Sequence, residues 1–173
     1  DVAQAKANTV GTMVGTMRVG TVTIEGVSDG SLPVPPTSLF NKNDQDWLQH
    51  SQFLDEHGML PIEMGGFLVR SDEHLVLVDT GIGPHAVPER TGMFMRNLAT
   101  HGVRPSDITD VVLTHLHFDH LGWATDGERR LFENATYRCH EADWEFFTGT
   151  SPFDDSLAVS LMGGRTSSEL LPP

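Results

Sequence analysis

Apolar positions recur along this chain in short, readable patterns. Between Val19 and Val27 the run VGTVTIEGV sets Val and Ile beside small or polar residues, the period-two pattern of a half-buried strand. The stretch that follows, GSLPVPPTSLF, carries three prolines and is expected to be an irregular excursion. In DQDWLQHSQFLDEHG, Trp47, Ser51 and Leu54 fall on one helical face; Asn43 and Asp44 are suitable N-caps, and Gly58 can end the helix. IEMGGFLVR and HLVLVDTG read as two strands joined by a hairpin turn over Ser71–Glu73. The unbroken Leu75–Val78 run predicts a strand covered on both faces. Residues 91–101 predict a helix with Phe94 and Leu98 one turn apart, closed by Gly102. DVVLTH is a short buried strand, ATYRC another, and HEADWEFF opens a helix.

These elements fill residues 18–148. Residues 1–17, small and polar with no period, read as a loose leader, and 149–173 as a connecting segment that stops on two prolines. The 173-residue length suits one domain with a real core. The chain is strongly acidic, with a formal net charge of −13 and no basic run, which argues against nucleic-acid binding. Its longest apolar run is Leu75–Val78, so no membrane-spanning segment is expected. Cys139 is the sole cysteine, which excludes an internal disulfide and suits, without proving, a cytoplasmic setting.

The chemistry concentrates in Thr114–His120, THLHFDH, directly after the Val111–Leu113 strand. It offers four metal-competent side chains in six positions. His115 and His117, two apart on extended backbone, point the same way and can grip one ion. Asp119 and His120 follow the turn of the backbone and can face a second. Imidazole and carboxylate together suit zinc, with manganese, iron or cobalt compatible. Trp123, three residues past the motif, is either a pocket wall or ordinary packing. A barrel amidohydrolase also uses H-x-H at a strand end, but eight β/α units do not fit this length.

On these residues the chain resembles the metallo-β-lactamase-fold hydrolases, their lactonase-like branch in particular. The likeness is carried by Leu77-Val78-Asp79-Thr80-Gly81, by the spacing from there to His115, by THLHFDHLGW, and by FENATYRCHEADWEFF. It runs from about Val19 to Phe147. The resemblance implies an α/β fold, an αββα sandwich present here mainly as its N-terminal half. Carried over by position, it implies His115 and His117 on one zinc and Asp119 and His120 on a second. Asp119 also serves as the catalytic proton relay, and Asp79 orients the metal loop from behind. It further implies hydrolysis of a small lactone, ester or cyclic amide through metal-bound hydroxide.

Family members take further ligands from their C-terminal half, whereas after His120 this chain has only His140, expected to be structural. The chain is therefore expected to be part of a parent of roughly 250–300 residues, weakly active or inactive alone, with an uncovered sheet face that invites self-association. Two alternatives stay open at this stage: an iron-dependent oxygenase relative on the same fold, and a non-catalytic binding or structural module that keeps the loop.

Overall fold

The computed structural model describes residues 15–40, 42–87, 89–149 and 166–171. Strands β1 (Thr16–Val19), β2 (Val22–Val34), β3 (Leu60–Ser71), β4 (His74–Val78), β5 (Asp110–Val112) and β6 (Thr136–Arg138) form one six-stranded sheet in chain order. The first four are antiparallel neighbours, whereas β5 lies parallel to both β4 and β6. Parallel pairing brings the carboxyl ends of β4, β5 and β6 to one end of the sheet, where such sheets collect their functional loops.

β1 begins at Thr16, inside the span read as leader; residues 1–14 lie outside the described part. The excursion expected after Val27 is instead regular strand as far as Val34. The one proline inside it is tolerated because Pro33 lies opposite Pro61, a position at which antiparallel alternation requires no N–H from either residue. The irregularity is concentrated in one place. The register shifts between Ser28 and Gly30, leaving Asp29 as the extra residue of a β-bulge. Gly30 has φ 121°, and an added Cβ there would collide with the Arg90 carbonyl, so glycine suits the kink.

The helix expected over 44–57 is cut short. α1 (Pro36–Leu39) and α2 (Asp44–Trp47) are single turns, and Leu48–Phe53 is 3-10. Asn43 does cap α2, in a capping box with Asp46. Of the predicted face, Trp47 and Leu54 are half-buried and Ser51 is exposed, too little cover to hold a longer helix. The remaining helices match expectation: α3 (Phe94–Thr100), followed by Gly102 at φ 71°, and α5 (Glu141–Thr148). Between them a single turn, α4 (Phe118–Leu121), sits within the histidine motif.

The two faces of the sheet differ. Val27, Leu68, Leu77 and Val111 point to one side and pack with Phe94 and Leu98 of α3 in a fully buried core. On the other side Ile24, Val69, Val76, Val78 and Val112 are only half-buried and Phe67 is exposed. The strand Leu75–Val78 is thus covered on one face, not two. One sheet with helices against one side is half of an αββα sandwich. Of the segment read as a connector, residues 150–165 lie outside the description, but Leu170 returns to the core and its carbonyl accepts from Thr125. Among the described residues no helix is long and apolar enough to cross a membrane.

Candidate metal centre

Two loops meet at the carboxyl ends of β4 and β5. The first, Asp79–Gly83, leaves β4; the second, Leu113–Trp123, leaves β5 and contains the histidine motif. They are laced together by backbone bonds: Thr80 N–H to His120 O at 2.7 Å, and Gly122 N–H to Gly81 O at 2.8 Å. The glycines make this approach feasible. A Cβ on Gly122 would collide with the Ile82 backbone, and one on Gly83 would lie 2.6 Å from Gly122 O.

Asp79 is the hinge of the arrangement. It sits at φ 60°, a left-handed conformation that aspartate tolerates better than most residues, and is 8% exposed. Its Oδ1 accepts the Thr114 N–H at 2.8 Å, while Oδ2 accepts the Thr114 hydroxyl and His120 Nδ1, each at 2.8 Å. Burial pushes its pKa up, but the bonds from His120 and Thr114 outweigh this and hold it below the ordinary carboxylate range. Asp79 is therefore an ionised, acceptor-only group.

That charge state assigns protons to two imidazoles. His120 must donate from Nδ1 to Asp79, which leaves Nε2, beside Asp119 Oδ2, as its other nitrogen. The single hydroxyl proton of Thr114 is already given to Asp79, so at 3.1 Å from Thr114 Oγ1, His115 must also be the donor through Nδ1. Both rings thus carry their lone pair on Nε2 when neutral. The rings gather closely, His115 lying 4.0 Å from His120 and 4.7 Å from His117 between centroids. Burial, reinforced by the neighbouring imidazoles, lowers the pKa of His115 and favours the neutral, ligating form. For His120 burial works downward too, but Asp79 and Asp119 prevail and raise it. Asp119 Oδ2 lies 3.5 Å from His120 Nε2, and His117 stands edge-on to Phe147 of α5 at 5.3 Å.

The motif's four donors therefore share one neighbourhood. Among the described residues, however, no three His, Cys, Asp or Glu side chains close around a common point as a finished metal site. The donors suit a divalent ion in kind, but the set is partial. His140 is occupied elsewhere, its Nδ1 accepting the Ala142 N–H to cap α5. Burial raises the Cys139 thiol, which disfavours a thiolate ligand. Trp123 is half-buried against the core and donates its indole N–H to Asp29 at 3.0 Å, a packing and hydrogen-bonding role. A groove of about 680 Å³ between the β5–β6 end and α5 includes Leu113, Leu116 and Trp144 in its walls, but neither the histidines nor Trp123. Sequence reasoning passed over Thr114 and Asp29. The first was legible as a hydroxyl preceding the histidines; the second was not, since its partners Ile82, Gly83, Phe94 and Trp123 lie far along the chain.

Known proteins resemble this chain in sequence and fold. Residues 66–161, more than half of the chain, match the model of the metallo-beta-lactamase superfamily. A 75-residue stretch is 39% identical to a probable metallo-hydrolase of Mycobacterium tuberculosis, covering 34% of this chain and 24% of that protein. A 68-residue stretch is 44% identical to metallo-beta-lactamase domain-containing protein 1 of Mus musculus, covering 38% and 24%. The match thus spans about a quarter of each curated relative. Among solved structures, the dizinc quorum-quenching lactonase AidC superposes with a TM-score of 0.71 at 23% identity, over 90% of this chain and 55% of that one. The hydrolase AbOPH of the beta lactamase superfamily gives 0.69 at 25% identity, over 90% and 54%. With the family model spanning both laced loops and the fold shared over nine-tenths of its length, the chain belongs to the metallo-beta-lactamase superfamily.

Proposed function

We propose that this chain carries the metal-binding edge of a dinuclear zinc hydrolase. In this reading His115 and His117 hold one ion, and Asp119 and His120 a second. The supporting observation is the proton arrangement around Asp79: one ionised carboxylate, directly and through Thr114, engages the Nδ1 atoms of His120 and His115 and leaves the Nε2 atoms of these adjacent rings to carry the lone pairs. When bound, zinc polarises a substrate carbonyl and makes water acidic near neutral pH. The chain's own residues do the rest. Asp79 and Thr114 hold the rings in orientation, and Asp119, partly exposed, would accept the proton that the attacking water gives up and pass it to the leaving group. A lactone, ester or cyclic amide is the substrate class, the solved neighbour AidC being a lactonase.

The test is equilibrium dialysis against zinc with elemental analysis of the protein. The wild-type chain is expected to retain zinc, and Asp79→Asn to weaken its affinity by roughly 10–100-fold. Retention of no zinc, or an unchanged affinity in the variant, would remove the reading. The unfinished donor set among the described residues favours the second reading, a binding module without turnover. Lactone hydrolysis by the zinc-loaded chain, expected to be near background, decides against that module if turnover is robust.

A further inference from the structure

Beneath the two laced loops lies a second carboxylate that the chemistry above does not use. Asp29, the bulge residue of β2, is fully buried. Its Oδ2 accepts the N–H groups of Ile82 at 2.9 Å and Gly83 at 2.8 Å. Its Oδ1 accepts the Phe94 N–H at 2.8 Å, and the indole N–H of Trp123 is shared between the two oxygens at 3.0 and 3.1 Å. Its backbone carbonyl takes the Met93 N–H at 3.2 Å. One side chain thus joins the loop after β4, the start of α3 and the exit of the histidine loop.

The surroundings leave no slack. Gly81 lies so close that an added Cβ would come within 2.6 Å of Asp29 Oδ2. Asp29 lies two residues past Val27, so strand alternation turns its carboxylate to the buried face, while the bulge leaves it without a partner across the ladder. Burial alone raises the pKa of Asp29 and the donors from Gly83, Phe94, Trp123 and Ile82 offset part of that cost. A carboxylate kept at such a place needs a compensating role.

We infer that Asp29 is a positioning residue that holds the Asp79 loop and the histidine loop in register, by gripping Ile82 and Gly83 on one side and Trp123 on the other. It touches none of the proposed ligands. It acts through the backbone lacing between Thr80 and His120 and between Gly81 and Gly122. Its consequence for zinc rests on the reading above, but its effect on the loops does not.

The test is amide hydrogen exchange on the metal-free chain, comparing wild type with Asp29→Asn. The amide variant places an NH2 among four N–H donors and lacks the charge. The Thr80 and Gly122 amides are expected to exchange about tenfold faster or more, while the β3 and β4 amides change less than about twofold. Trp123→Phe removes a single donor, keeps the carboxylate, and is expected to speed Gly122 exchange by about threefold; it decides the matter should Asp29→Asn fail to fold. Unchanged protection at Thr80 and Gly122, or equal loosening of loops and strands, would overturn the inference. Where wild type retains zinc, Asp29→Asn is expected to retain it with several-fold lower affinity. Because exchange is read without metal, loss of the zinc reading and loss of this inference are separate outcomes.

Discussion

Gly122 shows how little room the centre leaves at a single residue. Its backbone angles suit any residue, so conformational freedom is not the reason for glycine. Space is: a methyl group would be driven into the Ile82 backbone, which cannot rotate away as a side chain would. Gly122→Ala is expected to cost about 2–3 kcal/mol, read as a lowered denaturant midpoint with an unchanged slope. An unaltered midpoint would mean that the loops are looser than described. At this scale much was legible beforehand. The positions His115, His117, Asp119 and His120 were named from their types and spacing, and Asp79 from likeness to a known family. Asp29 was not, because its role depends on N–H groups 53 to 94 residues further along the chain, which local pattern does not carry.

Elements show the same division. β3, β4, β5, β6, α3 and α5 follow from local pattern, since each has an apolar face or a cap within its own few residues. The long β2 does not, because Pro33 is acceptable only in view of Pro61 across the ladder. One inter-element tie is electrostatic. Arg70 of β3 donates from Nε to Glu25 of β2 at 2.7 Å and from a terminal nitrogen to the His101 carbonyl, just past α3, at 2.7 Å. The Arg70 bond is the main cause holding Glu25 below its ordinary pKa of 4.5. A carboxylate with a depressed folded pKa stabilises the fold above its unfolded value and loses that contribution as pH falls through the folded one. This group's contribution to stability is therefore expected to be present at neutral pH and to be lost as pH falls below about 4.5. Glu25→Gln should flatten that part of the profile in urea titrations run across pH 3–6. A profile as steep as wild type would assign the loss to other carboxylates.

Across the whole molecule, the sheet divides the chain into a finished side and an unfinished one. The side against α3 is a closed core, while Ile24, Phe67, Val69, Val76, Val78 and Val112 present an apolar surface with partial cover. Apolar surface of this kind favours association, and the net charge of −13 opposes it through mutual repulsion. Self-association is accordingly expected to strengthen with added salt and to weaken in Phe67→Lys, both measurable by sedimentation velocity. A chain that stays monomeric at high concentration in high salt would show the face to be benign. The fold class was legible at this scale through motif likeness, whereas the inequality of the two faces was not, because the Leu75–Val78 run looks the same with one neighbour layer or two.

The parallel pairing of β4 and β5 has a final consequence. Residues 79–109 must loop out before the two strands can lie side by side, and that closure costs chain entropy ahead of any contact that returns it. The imidazoles thus gain their assigned protons only through a non-local folding step. A peptide excised from 110–124 would keep every histidine of the motif and have no Asp79 to tell any of them which nitrogen to protonate.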